Sequence, residues 1–259
     1  MRFDKREPVM RSGLRPIAAV AGFEVFHRNK FLNYQLNRWR ALGDLAVADV
    51  REVARRTRDT ASCAAAFAGL AQRLESENDP YRAAFCHRAV EFSTSPNDPE
   101  KDRRYRRFRE LFYASEAGQQ VEASWVPYGG GALAMLRVRM RTTRPRGQVV
   151  AFGGFDSCIE DFHLVWTLLA QAGYEVIAFD GPGQGAALRL RGQLFEHDRE
   201  RPTAAVLDAV DARSVTLLGL SMGGYWAVRT CCRWEERPTR FSRPHPSPVR
   251  PRRWSGRDR

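Results

Sequence analysis

The chain has 259 residues, of which 43% are apolar and 28% are charged, a balance typical of folded globular proteins and not of disordered chains. No apolar run approaches the roughly 18 residues that cross a bilayer, and Met1 to Met10 lacks the apolar core of a signal peptide, so we expect a cytoplasmic protein with no membrane partner. The formal net charge is +12, but residues 229–259 hold ten Arg against three acidic residues, so the rest of the chain is only weakly basic.

The five cysteines do not form a metal or disulfide pattern. Their number is odd and no two of them have CxxC spacing, so free thiols are expected at Cys63, Cys86, Cys158, Cys231 and Cys232. We therefore predict no metal site and no cofactor.

Residues 1–118 are predicted to form a cap-like helical region. Asp79-Pro80 and Asp98-Pro99 each supply an N-cap followed by proline at the first helical position, and apolar residues then recur at helical spacing. The second of these helices carries five arginines within residues 103–109. We favour a solvated helix face for them over an anion or nucleic-acid patch.

Residues 119–228 change to short apolar strands that alternate with helices. Strands are predicted at 121–126, 132–140, 148–152, 175–179 and 215–220, and helices at 159–172, at 203–210 and after Ser221. Strands that are apolar throughout and alternate with helices predict an α/β fold, with a mostly parallel sheet covered by helices on both faces. The strand at 215–220 should be central in such a sheet.

The segment Gly219-Leu220-Ser221-Met222-Gly223-Gly224 has the GxSxG pattern of a nucleophile elbow. The pattern is short, but it follows a predicted buried strand and opens a predicted helix, which is the context that such an elbow needs. The sharp turn lifts the Ser221 hydroxyl above the sheet, and Gly219, Gly223 and Gly224 allow close backbone approach. The alternative is a glycine-rich turn with an idle serine.

A second loop, Gly153-Gly154-Phe155-Asp156, follows the strand at 148–152. In this type of sheet it lies next to the elbow, so the amide of Phe155 can join that of Met222 in an oxyanion hole. A plain turn that caps the following helix is the alternative, and both interpretations can hold together.

The ordered motifs GGFDS, GYEVIAFDGPGQG and GLSMGG resemble the α/β-hydrolase superfamily. They are most similar to the branch with an N-terminal helical region that contains 2,6-dihydroxypseudooxynicotine hydrolase and the fermentation-respiration switch esterases. The resemblance covers roughly residues 24–228. It implies a serine hydrolase of esters, thioesters or β-dicarbonyl C–C bonds, with an acyl-enzyme at Ser221, a small-molecule carbonyl substrate and, often, a homodimer. It also implies catalytic assistance from the carboxylate of Asp156, where the family's C–C hydrolase has the longer Glu.

The family's chain order is Ser, acid, His, but only 38 residues follow Ser221. Residues 229–259 are rich in Arg and Pro and are predicted to be a disordered tail, in which His245 has nothing to hold it as a base. We therefore expect a sheet truncated after the elbow strand, impaired activity, and a C-terminal part that is missing or frame-shifted. The alternatives are a non-catalytic hydrolase-like scaffold and, less favoured, nucleic-acid binding through the basic tail.

Overall fold

The computed structural model describes residues 22–138, 145–212, 214–235 and 252–253, and every structural statement refers to these residues. The predictions for residues 139–140 and for His245 lie outside this part of the chain.

The described chain begins with a helical region. Its helices are α1 (Lys30–Gly43), α2 (Val47–Arg56), α3 (Thr60–Ser76), α4 (Pro80–Ser93), α5 (Pro99–Ala114) and α6 (Glu116–Gln119). The Asp79 side chain accepts a hydrogen bond from the Arg82 amide at 3.1 Å, and the Asp98 side chain accepts one from the Glu100 amide at 2.9 Å. The two Asp–Pro pairs therefore start α4 and α5 as predicted.

The five arginines of α5 do not form one solvated face. Arg109 is buried and pairs with Glu160, while Arg104 and Arg107 pair with acidic residues of the helical region. The expectation of a simple solvated face is wrong at Arg109, because this residue faces the neighbouring layer of the protein.

A five-stranded mixed sheet follows the helical region. Its strands are β1 (Glu122–Tyr128), β2 (Gly131–Val138), β3 (Gln148–Phe152), β4 (Glu175–Asp180) and β5 (Val215–Gly219), in the spatial order β5-β3-β4-β2-β1. β3 is parallel to β4 and β5, whereas β2 is antiparallel to β1 and β4. The segment Arg252–Arg253 pairs with the outer side of β1. Within the described chain β5 is therefore an edge strand that pairs with β3 alone.

Helices cover both faces of this sheet. A 3₁₀ turn (Ile159–Phe162) leads into α7 (His163–Gln171), and α8 (Gly185–Arg189), α9 (Glu200–Ala209) and α10 (Met222–Glu235) follow. One apolar core joins α7 and the helical region to the sheet, and a second core on the other face contains Phe152, Phe179 and Trp226. The predicted α/β class with a preceding helical region is confirmed. None of the described helices combines the length and the apolar character of a membrane span.

Two predicted boundaries are wrong. The segment predicted as one helix over 159–172 begins as a 3₁₀ turn, in which Asp161 accepts a hydrogen bond from the Cys158 amide at 3.2 Å. Residues 229–235, which were predicted to belong to the disordered tail, are helical, because α10 continues to Glu235, and the prediction for residues 236–251 and 254–259 lies outside the described chain. The middle of this helix is held by Arg229, whose Nε donates to Glu200 of α9 at 2.7 Å.

Candidate active site

Ser221 lies at the sharp turn between β5 and α10. Its φ is +55°, one of four positive values among the described non-glycine residues, and its side chain is exposed. A serine in the left-handed region is strained, and such strain persists where the surrounding backbone imposes it. The Gly223 and Gly224 amides close the turn by donating to the carbonyls of Leu220 and Ser221 at 2.9 and 3.0 Å. The turn therefore presents one hydroxyl at the surface beside the carboxyl end of the sheet.

Two of the three predicted elbow glycines have no room for a side chain. A Cβ on Gly219 would lie 1.9 Å from the Gly223 carbonyl oxygen, and a Cβ on Gly223 would lie 2.7 Å from the carbonyl oxygens of Phe152 and Gly153. These neighbours are backbone and cannot rotate away. Gly224 differs, because the nearest atom to its Cβ would be 3.8 Å away, so a methyl group fits there.

The loop after β3 packs against Ser221. A Cβ on Gly154 would lie 2.9 Å from the Ser221 Cβ and 3.2 Å from its Oγ. Phe155, the next residue, therefore lies beside the elbow, and its exposed ring packs at 5.8 Å from that of Phe195. Met222 is the first residue of α10, where a helix leaves the amide without an intrahelical partner. The structure thus brings the loop of Phe155 and the amide of Met222 to the two sides of Ser221.

Asp156 is held by the helical region. Its half-exposed carboxylate accepts a hydrogen bond from Arg38 of α1 at 3.1 Å, and its carbonyl oxygen accepts one from Arg88 of α4 at 2.7 Å. The sequence analysis did not identify Arg38 or Arg88, and no local signal could have done so, because they lie 118 and 68 positions away along the chain.

The DGPGQG turn after β4 contacts the loop that follows β3. Asp180 is buried and accepts hydrogen bonds from the amides of Ile159 and Ala186 at 2.9 and 3.0 Å. Burial, together with the nearby Glu160 carboxylate, raises the pKa of Asp180 to about 8. Gln184 donates to the carbonyl of Gly154. This turn is structural, and it fixes the backbone that faces Ser221.

A cavity of about 260 Å³ lies behind this loop. Helices α4 and α5 form one wall, and the loop after β3, the turn after β4 and α8 form the other. We call it the inter-region cavity. Phe155 and Asp156 line it, whereas Ser221 does not. The loop at 153–157 therefore borders both Ser221 and this cavity.

No described residue makes a hydrogen bond to the Ser221 hydroxyl, and each described histidine has another environment. His163 and His87 are buried, beside Tyr81 at 3.3 Å and Glu75 at 2.6 Å respectively. His197 is 80% exposed and pairs with Asp198, and His27 accepts from the Asn29 amide at 3.0 Å. Within the described ranges, no group of three or more His, Cys, Asp and Glu side chains is arranged to hold a metal.

Comparison with known proteins agrees with this geometry. A family model described as serine aminopeptidase, S33, of the α/β-hydrolase type, matches residues 143–242, which include the Gly-Gly loop, the DGPGQG turn and the elbow. The chain is related to the α/β-hydrolases. The resemblance predicted from the motifs is confirmed.

Two curated fungal relatives show how far the relation extends. The hydrolase pyiE of Pyricularia grisea is 34% identical over 132 residues, which are 43% of this chain and 28% of pyiE. The hydrolase LUC6 of a Fusarium species is 31% identical over 179 residues, which are 57% of this chain and 40% of LUC6. The chain thus spans less than half of the length of either relative.

Two solved structures share the fold. The 2,6-dihydroxy-pseudo-oxynicotine hydrolase aligns with a TM-score of 0.58 and 20% identity, over 76% of this chain and 61% of the other. AbyA5 aligns with a TM-score of 0.60 and 20% identity, over 76% of this chain and 58% of the other. At this identity the likeness shows the fold alone.

Proposed function

We propose that the chain carries the nucleophile of a serine hydrolase, with Ser221 as that nucleophile. The observation that supports this most directly is the exposed Ser221 at φ +55°, in a turn flanked by Gly219 and Gly223, neither of which has room for a side chain. Strain of this kind is costly for a serine and is kept at functional sites. The relation to hydrolases adds to the argument without fixing the substrate.

The chemistry proposed is acyl transfer. The Ser221 Oγ attacks a carbonyl carbon, and the amides of Met222 and Phe155 donate hydrogen bonds to the oxyanion that forms. Collapse of this intermediate breaks the bond to the leaving group, an alcohol, a thiol or an enolate, and leaves an acyl-enzyme that water hydrolyses. Esters, thioesters and β-dicarbonyl compounds are the substrate classes that fit these steps. In this scheme the Asp156 carboxylate, which Arg38 holds in place, assists proton transfer at the substrate.

A general base must take the proton from Ser221, and the described residues place no imidazole against its hydroxyl. We therefore propose low turnover for the described arrangement acting by itself. Loss of a triad member lowers turnover by roughly 10⁴- to 10⁶-fold, and the remaining rate comes from the oxyanion hole and substrate binding.

A fluorophosphonate probe tests the nucleophile directly. Because no described base activates the hydroxyl, we expect slow labelling of the wild-type chain and of Ser214→Ala, which removes another exposed serine, and no labelling of Ser221→Ala. Absence of labelling in wild-type protein whose circular dichroism shows a folded chain would contradict the proposal. That outcome would favour a non-catalytic hydrolase-like scaffold.

A further inference from the structure

The inter-region cavity is a partly open site whose chemistry differs from that of the elbow. Its volume of about 260 Å³ greatly exceeds the roughly 10–15 Å³ that one water needs and approaches the lower end of small-molecule pockets, near 300 Å³. Phe92 and Leu188 contribute apolar surface to it, and Tyr105, Arg189, Lys101 and Glu91 contribute polar groups. A small organic molecule fits this space.

Tyr105 of α5 lines the cavity with an unused donor. The residue is only 1% exposed, and its hydroxyl has no hydrogen-bond partner among the residues that the structure describes. A buried polar group without a partner destabilises the fold, because nothing replaces the hydrogen bonds that it makes with water in the unfolded chain. Burial raises the pKa of Tyr105 well above its usual range, so the hydroxyl keeps its proton. The group that satisfies it is therefore a hydrogen-bond acceptor.

Of the three cations that line the cavity, Arg189 has the loosest contacts. Arg88 holds Asp161 through two hydrogen bonds of 3.0 Å, and Lys101 donates to the Glu91 and Thr94 carbonyls at 2.5 and 3.0 Å. Arg189 lies 3.5 Å from Asp102 and 3.6 Å from Glu91, beyond the usual length of a hydrogen bond. Its guanidinium can therefore accommodate an incoming anion at little cost.

We propose that the inter-region cavity binds a small organic carboxylate, with the Tyr105 hydroxyl as donor and the Arg189 guanidinium as counter-charge. One donor and one loosely paired cation suit a single negative charge. The carboxylates of Glu91 and Asp156 in the same lining repel a phosphate dianion about twice as strongly as a carboxylate with one negative charge. The carboxylate is either part of the substrate or a separate small acid, and the first case alone rests on the function proposed above.

Isothermal titration with 3-phenylpropionate, with its neutral analogue 3-phenylpropionamide and with inorganic phosphate tests the site without turnover. We expect the acid to bind at least ten-fold more tightly than the amide or phosphate. A hydrogen bond to a charged group corresponds to roughly 10- to 100-fold in affinity, so Tyr105→Phe and Arg189→Gln should each weaken binding of the acid by about that factor.

Control variants separate the site from general effects of substitution. Tyr34→Phe and Arg55→Gln make the same changes at exposed positions and should bind the acid as the wild type does, and so should Ser221→Ala. Equal affinity for acid and amide, or wild-type affinity in folded Tyr105→Phe and Arg189→Gln, would overturn the proposal. Missing fluorophosphonate labelling with intact binding would refute the hydrolase and keep the carboxylate site.

Ester hydrolysis distinguishes the two sources of the carboxylate. The KM values of p-nitrophenyl hydrogen glutarate and p-nitrophenyl butyrate are compared in the wild type and in Arg189→Gln. If the wild type has the lower KM for the acidic ester and Arg189→Gln abolishes this difference, the carboxylate belongs to the substrate. Equal KM values, with 3-phenylpropionate binding retained, assign the site to a separate acid.

Discussion

The turn that exposes Ser221 holds its backbone in a strained conformation. A φ of +55° costs a residue with a Cβ roughly 1–2 kcal/mol, and glycine avoids this cost. We therefore predict that Ser221→Gly is more stable than Ser221→Ala by about 1 kcal/mol, although both variants lack the hydroxyl. Urea unfolding of the two variants measures this difference. Equal free energies of unfolding would show that the turn carries no strain.

At the level of single residues, the sequence predicts the features that depend on neighbours along the chain. The elbow at Ser221 follows from glycines within three positions of it, and their spacing carries the steric reason for the turn. Gly224 was assigned the same role by proximity alone, but a Cβ there would make only an ordinary contact of 3.8 Å. Arg38, Tyr105 and Arg189 escaped prediction because their positions depend on how the helical region packs against the sheet.

The packing of α7 against α4 buries a titratable group. His163 begins α7 and lies in edge contact with the rings of Tyr81 and Phe112, at 5.4 Å from each. Burial lowers the pKa of His163 to about 4, from 6.5 in an unfolded chain. Between these values the unfolded state binds a proton that the folded state does not, so stability is fully present above pH 6.5 and falls as the pH decreases.

We predict that protonation of His163 in the unfolded state lowers the free energy of unfolding by about 3 kcal/mol between pH 7 and pH 4. His163→Gln should flatten the pH dependence of the unfolding free energy by that amount, measured by urea unfolding across the range. Leu168→Gln, at an exposed position of the same helix, should keep the wild-type slope. An unchanged slope in His163→Gln would contradict the role assigned to burial.

Strand β5 is an edge within the described chain, although its apolar sequence is typical of a central strand. Unpaired edges with apolar residues promote association between chains. Thr216 is the exposed residue of this strand, so Thr216→Lys should lower aggregation, measured by light scattering, and change the unfolding free energy by less than about 0.5 kcal/mol. Ala65→Lys adds the same charge on the exposed face of α3 and should leave aggregation as it is. Equal aggregation in both variants would show that the edge is covered.

Elements were predicted well where a local stop or start signal exists. The Asp–Pro pairs start α4 and α5, and the apolar runs give β3, β4 and β5 within a residue or two. The end of α10 was not predicted, because the arginine-rich composition after residue 229 indicated an irregular segment. The helix continues there, and ion pairs with α9 stabilise it. The 3₁₀ turn before α7 was missed because its shape depends on Asp161, whose partner Arg88 lies on α4.

Buried ion pairs join the helical region to the sheet layer. Asp161 of the 3₁₀ turn is 1% exposed and receives two hydrogen bonds from Arg88, which also holds the carbonyl of Asp156. Arg109 and Glu160 form a second such pair. Removing one partner of a buried pair leaves a charge without compensation and costs about 3–5 kcal/mol. We therefore expect the helical region and the sheet layer to open together and not separately.

Asp161→Asn keeps the shape of the side chain and removes its charge, so we predict a loss of about 3–5 kcal/mol in unfolding free energy. Amide hydrogen exchange followed by mass spectrometry should show faster exchange both in α4 and in residues 153–158, because Arg88 connects them. Glu52→Gln breaks an exposed pair with Arg56 and should leave both segments as in the wild type. Faster exchange in α4 alone would show that the helical region opens without the loop at 153–158, and the ion pairs would then not couple the two regions.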